Sequence, residues 1–219
     1  LEEILEQLMN NSSLRLLSAL ILAPLFLYLV FVNNIFFIVL LLSVLLVSLY
    51  ELKFLFAAKK IHFFFVISLV IVFLLSFNNL RGSSELDFYY LAWIIVIVWL
   101  SDMGGFFVGR FFGGPRLSKW SPNKTLSGFS GSLIFSQLAF YIIFLAIKDV
   151  GFSYKFFIIQ IFICIISVFG DLFFSFIKRK NNIKDYSSII PGHGGLMDRI
   201  DGLIFAIIFA NILKIFHVY

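Results

Sequence analysis

Charge is scarce in this sequence: Asp, Glu, Lys and Arg together make up 13% of its 219 residues. Hydrophobic residues make up 61%, Phe alone numbers 31, and the mean hydropathy is +1.04. No soluble core of this length buries so much apolar surface, which excludes a water-soluble domain and implies an all-α polytopic membrane protein. Cysteine is almost absent. The single Cys164 lies inside an apolar run, so an internal disulfide and a thiolate zinc cluster are excluded, and redox chemistry is disfavoured. Internal repeats, low-complexity linkers and a separate soluble domain are also lacking. The Gly-x4-Gly-Lys-Ser/Thr spacing of a Walker A loop does not occur. The first apolar run is preceded by Glu2, Glu3 and Glu6 instead of a basic segment, and no small-residue cleavage pattern follows it, so it reads as a retained helix and not a signal peptide. Leu1, Ile4, Leu5 and Leu8 recur at helical spacing opposite those glutamates, as in a short interfacial helix, with an unstructured tail as the alternative.

What is present is a series of apolar stretches near the ~20 residues needed to cross a bilayer. They run over 14–32, 35–50, 61–77, 88–109, 132–147, 156–177 and 202–217, giving seven expected spans. The organisation expected is an N-terminal region, 1–87, with the interfacial helix and three spans, and a catalytic region, 88–219, with four spans and two polar loops. Of the 17 Lys and Arg, all but Arg81, Lys148, Lys155 and Lys214 fall on the side that holds the N-terminus. Positive residues are retained in the cytoplasm, which makes the chain N-in and C-out and turns both polar loops toward the cytoplasm. The net charge of +5 is accounted for by these loops, so nucleic acid is not an expected partner. The absence of a transit-like leader and of eukaryotic extensions points to a bacterial inner membrane.

Two segments carry chemistry. The first contains Ser101-Asp102, Gly104-Gly105, Gly109-Arg110, Gly113-Gly114-Pro115-Arg116 and Ser121-Pro122-Asn123-Lys124-Thr125. Glycines let backbone amides approach an anion, Lys124 supplies a positive charge, and small hydroxyls such as Ser121 and Thr125 donate to phosphate oxygens, which together make a polyphosphate cradle. A basic loop that only sets topology is the plainer alternative. The second runs from Asp171 through Ser175, Lys178-Arg179 and Lys184-Asp185 to His193-Gly194-Gly195 and Asp198-Arg199-Ile200-Asp201. Acids at a membrane boundary persist when they are paired, protonated or bound to metal. Asp198 and Asp201, three residues apart, share one helical face, and with Asp171 they form an oxygen donor set suited to Mg2+. Ion pairing of these acids with Arg199 and Lys184 is the structural alternative, and His193 between glycines could serve only as a turn residue.

The second segment resembles the signature of the phosphatidate cytidylyltransferase family: Ser175, Ile177, Lys178, Arg179, Lys184, Asp185, Ser187, Ile190, Pro191, His193, Gly194, Gly195, Leu196, Asp198, Arg199, Ile200 and Asp201 stand at the family's spacing. The segments Ser-Asp-x-Gly-x-Phe-x-x-Gly-Arg from Ser101 and Ser-Pro-x-Lys-Thr-x-x-Gly from Ser121 resemble the family's upstream loop, although Met103-Gly104-Gly105 stands where the family more often has Thr/Gly-Ala-Tyr. The resemblance covers roughly Trp99 to Gly202. It implies transfer of CMP from CTP to phosphatidate, giving CDP-diacylglycerol and pyrophosphate. Metal would then be held by Asp171, Asp198 and Asp201, with Asp102 as a further candidate and a second cation allowed. Lys178, Arg179 and Lys124 would meet triphosphate or phosphatidate. Ser121, Thr125, Lys184, Arg199 and Asp102 would line the substrate site, with His193 and Asp185 shaping the loop. The implied partners are CTP, phosphatidate and the bilayer, with a homodimer as a further expectation. Two other readings stay open on the residues alone: an ion or proton transporter, disfavoured by the lack of a repeat, and a CTP-dependent lipid kinase.

Overall fold

A computed structural model describes residues 20–146, 154–190 and 194–217. The interfacial helix expected over the first residues, the start of the first span, and Pro191 to His193 lie outside them. Eight helices are described: α1 (Leu20–Phe31), α2 (Asn34–Ala58), α3 (Lys60–Arg81), α4 (Glu85–Phe112), α5 (Leu126–Ser136), α6 (Leu138–Ala146), α7 (Tyr154–Lys180) and α8 (Met197–Ile215). Among the described residues only isolated bridges stand in place of strands. The chain is an all-α polytopic membrane protein.

Local chemistry sets the helix ends. Asn33 caps α2 by accepting the Phe36 amide at 3.0 Å, and Lys59 in extended conformation separates α2 from α3. Ser84 opens α4 with a capping box, its hydroxyl accepting the Asp87 amide while Asp87 accepts the Ser84 amide. Gly113, at φ +61°, closes α4 in a region that side chains disfavour.

By length and apolarity, α3, α4, α7 and the first 20 residues of α2 are able to cross a membrane. The other expected spans take different forms. Over 132–147 the helix breaks at Gln137, whose amide turns back to Ile134 and whose side-chain oxygen accepts from Gln160 of α7. Gln160 in turn accepts the Trp93 indole N–H at 2.7 Å. This buried polar chain ties α4, the α5–α6 break and α7 together, as polar side chains do across membrane helices. The helix expected from Gly202 starts earlier, at Met197, and carries Asp198, Arg199, Asp201 and Lys214.

The chain forms two compact units, one of residues up to Ile71 with Asn181–Ile200, the other of Val72–Lys180 with the residues from Asp201 onward. In the first, the buried face of α2 repeats at Phe37, Leu40, Val44, Ser48, Glu51 and Leu55, a helical period of three to four. In the second, α4 and α5 pack through small residues. A Cβ on Gly104 would lie 2.5 Å from the Gly131 carbonyl oxygen, and one on Gly128 would lie 2.8 Å from that of Gly105. Glycine is therefore what allows the close approach that positions the loop between the two helices.

Candidate active site

The loop between α4 and α5 is folded back on itself. Arg116 pairs with Thr125 in an isolated bridge, the Leu117 amide donates to the Lys124 carbonyl at 2.7 Å, and the Leu126 amide donates to that of Pro115 at 2.9 Å. Thr125 caps α5 by accepting the Gly128 amide at 3.0 Å, and Ser127 donates to the Gly113 carbonyl. Trp120 meets Phe176 of α7 edge to face at 5.0 Å. These contacts present Lys124 to α7, where its ammonium donates to Asp171 Oδ2 in a part-buried ion pair.

Asp171 is not the sole acid acting on Lys124. Burial is the largest influence on this lysine and disfavours its charged form. The charge and hydrogen bond of Asp171, with the charges of Asp102 and Asp201, outweigh it and hold the pKa above the ordinary lysine value. Asp201, 8% exposed, also lies in the field of Lys178, itself 8% exposed. Three carboxylates thus act on one ammonium, Asp171 among them by direct contact. The sequence places Lys124 in a phosphate cradle apart from the carboxylates, whereas the structure brings it to them.

The donor set can be tested against a divalent cation on this arrangement. Asp171 holds the Lys124 ammonium directly, and the charges of Asp102 and Asp201 act on the same group. Among the described residues no three His, Cys, Asp or Glu side chains are grouped so as to hold a metal ion. Carboxylate oxygen is the donor chemistry that Mg2+ takes, and this ion can draw its remaining ligands from water and substrate phosphate.

Asp198 belongs to the other unit. Its Oδ2 accepts the Tyr186 amide at 2.9 Å and the Gly195 amide at 3.1 Å. The same segment closes on itself where Ile190 and Gly194 exchange hydrogen bonds of 2.9 and 3.1 Å, with Gly194 at φ +86°. A residue that the sequence reasoning missed organises this segment. Glu51 of α2, 2% exposed, accepts from Ser187 Oγ at 2.6 Å, the Leu196 amide at 2.8 Å and the Met197 amide at 2.9 Å. The available signal was an acid alone among the apolar residues of α2, since such an acid is costly without partners.

The remaining sequence candidates separate by role. Ser121 accepts the Lys124 amide through its carbonyl, and Thr125 serves as a helix cap. Asp102, Arg179, Lys184, Asp185 and Arg199 are exposed, and His193 lies outside the described residues. The pairing of the acids with Lys184 or Arg199, the structural alternative, is not what holds Asp171, whose partner is Lys124.

The chain is similar to known phosphatidate cytidylyltransferases. A phosphatidate cytidylyltransferase of Helicobacter pylori is 37% identical over 115 residues, covering 52% of this chain and 43% of the relative. Those of Bacillus subtilis (33% over 135 residues, 61% and 50% covered) and Aquifex aeolicus (37% over 124 residues, 56% and 46% covered) are similar to it in the same measure. The chain spans about half the length of these relatives. The model of the cytidylyltransferase family matches residues 7–216, nearly the whole sequence. The chain belongs to the cytidylyltransferase family.

Proposed function

We propose that this protein transfers CMP from CTP to phosphatidate at the cytoplasmic face of a bacterial inner membrane, giving CDP-diacylglycerol and pyrophosphate. The observation that carries this reading is the Lys124–Asp171 ion pair, on which the charges of Asp102 and Asp201 also act, in a chain of this family.

A phosphate oxygen of the lipid attacks the α-phosphorus of CTP in line, and two polyanions must approach each other. An ammonium has three N–H donors, of which Lys124 gives one to Asp171. Its others can orient the triphosphate. Lys178 and Arg179, in the last turn of α7, offset the charge of the reacting phosphates and of the departing pyrophosphate. Asp171 and Asp201, with Asp102 and with Asp198 one turn earlier on α8, are the residues that would hold Mg2+. When bound, the ion supplies further neutralisation of phosphate charge. The attacking phosphate is already ionised near neutral pH, so no general base is required. Ser121, Thr125, Lys184 and Arg199 complete the substrate side, and Asp185 and His193 shape the loop. Homodimerisation would be read from the mass of the solubilised protein.

The direct test is incorporation of radiolabelled CTP into lipid by purified protein, with phosphatidate and magnesium each supplied or withheld. CDP-lipid with pyrophosphate supports the reading, whereas phosphorylated lipid with CDP, or no lipid product, overturns it. Orientation has its own test. Asn123→Cys is expected to react with an impermeant reagent only from the cytoplasmic face and Ser83→Cys only from the opposite one, while the buried native Cys164 stays silent.

A further inference from the structure

The start of α8 is capped from a distance. Leu196, just before the helix, has no side chain that can accept a hydrogen bond, so its amide and that of Met197 lack the local Ser, Thr, Asp or Asn partner that usually satisfies the first turn. Both instead donate to Glu51, 145 and 146 residues away in sequence. A Cβ on the adjacent Gly195 would come within 2.8 to 3.0 Å of the Glu51 carboxylate, so this approach depends on glycine. Ser48, one turn earlier on α2, donates to Met197 Sδ at 3.3 Å. A local cap would satisfy the same amides without fixing where the helix begins. The carboxylate on α2 does both, and it also fills the positive end of α8 where a phosphate could otherwise bind.

We propose that Glu51 is a positioning residue for the transfer reaction: by holding Ser187, Leu196 and Met197 against α2 it fixes the place at which α8 presents Asp198. This rests on the function proposed above. Glu51 acts through the backbone and touches no substrate, and Lys124 with the end of α7 serves the nucleotide. Its loss should therefore lower turnover while leaving the affinity for CTP in place.

Glu51→Gln keeps the length of the side chain but sets an amide N–H against one of the two backbone donors. Amide hydrogen exchange of the peptide covering Leu196 and Met197, measured without substrate, is compared between the variant and the wild-type protein. Steady-state kinetics and thermal unfolding are recorded on the same preparations. The expected result is faster exchange confined to that peptide, a fall in kcat of about tenfold or more, a KM for CTP within about twofold, and an unfolding midpoint lowered by a few degrees. Wild-type turnover despite faster exchange would overturn the proposal. So would faster exchange throughout α2, which marks a merely structural residue, or a raised KM at unchanged kcat. Ser187→Ala, which removes one hydrogen bond to Glu51 and leaves α2 intact, carries the same test with a smaller fall if Glu51→Gln does not fold. Failure of the reaction itself is distinguishable: a wild-type protein that makes no CDP-lipid refutes the function, while the exchange contrast still decides whether Glu51 holds α8.

Discussion

Two acid-centred networks in this protein are built on opposite principles. Around Lys124, carboxylates meet an ammonium, and the side chains of Lys124 and Asp171 are 29% and 25% exposed. Around Glu51, a carboxylate that is 2% exposed meets two backbone amides and a hydroxyl. A part-exposed ion pair contributes little stability and can exchange partners, because water and incoming phosphate compete for both charges. A buried carboxylate held by amides cannot be released without leaving those donors unsatisfied, at about 1–3 kcal/mol each. The first arrangement suits a site that must admit an anion, and the second suits a scaffold that must not move. The distinction can be broken by substitutions on each side.

The largest effect is expected at the carboxylates proposed to hold the metal. Asp201→Asn and Asp171→Asn keep volume and remove charge, so each should lower CTP incorporation by two orders of magnitude or more while the protein still inserts. Asp198→Asn can keep the Tyr186 and Gly195 hydrogen bonds, since both go to one oxygen, but it removes the charge, and a loss of similar size is expected. Near-normal turnover of any one of these at saturating magnesium would remove that residue from the proposed set.

Lys124→Ala comes next. A hydrogen bond to a charged group contributes about 1.5–3 kcal/mol, so kcat/KM for CTP should fall about 10- to 150-fold, with little change in the dependence on phosphatidate. A shift in phosphatidate dependence alone would mean that this loop holds the lipid headgroup. The pH dependence sharpens the point. The pKa of Lys124 is held above the ordinary lysine value, so its charge is complete below that value and is lost only as pH rises past it. The CTP dependence should therefore show no alkaline decline attributable to Lys124 until pH exceeds the ordinary lysine range, and titration of binding at lower pH would exclude this ammonium as the contact.

Much of the first network was legible in the sequence and little of the second. The Ser121 to Gly128 segment and the spacing from Ser175 to Asp201 contain Lys124, Lys178 and Asp201, and Asp102 and Asp171 stand just upstream as acids in apolar helices, because catalysis requires particular side chains and these leave a readable trace. What the sequence does not show is that Lys124 meets Asp171 across 47 residues, since the α4–α5 loop folds back through backbone hydrogen bonds that many sequences could make. Of the seven expected spans, those over α2, α3, α4 and α7 were legible from apolar length. The break at Gln137 was not, because its cause is a partner, Gln160, on another helix. Glu51 stood in plain view as an acid in an apolar helix, but its role lies in backbone amides, which carry no side-chain signature.

Gly195→Ala probes the scaffold from the other side and should have an intermediate effect. Its Cβ would press on a carboxylate that is itself held by three donors, so either the segment shifts or one hydrogen bond to Glu51 is lost. On the magnitude of one such bond, a loss of turnover on the order of tenfold is expected, with faster amide exchange at Leu196 and Met197. Combined with Glu51→Gln, the second substitution should add much less than it does alone, because both act on the same contact. Full additivity would show that Gly195 acts independently of Glu51.

The smallest effect is expected at the other end of α4, where Ser84 and Asp87 form the capping box and Lys214 of α8 pairs with Asp87. Ser84 precedes Asp102 by 18 residues on one helix, about 27 Å at ~1.5 Å per residue, so this polar group is remote from the Lys124 cluster along α4. It resembles the Glu51 network in one respect, since a side-chain oxygen satisfies a helix-end amide, but it positions nothing that the reaction uses. Ser84→Ala removes the Ser84 hydroxyl that accepts the Asp87 amide and should cost about 0.5–2 kcal/mol of stability. The unfolding midpoint is then expected to fall by a few degrees, with kcat and both KM values unchanged. Glu51→Gln is expected to lower the midpoint by a comparable amount and kcat as well. A loss of turnover in Ser84→Ala equal to that in Glu51→Gln would mean that any weakened helix end slows the enzyme, and the contrast between scaffold and site would collapse into general stability.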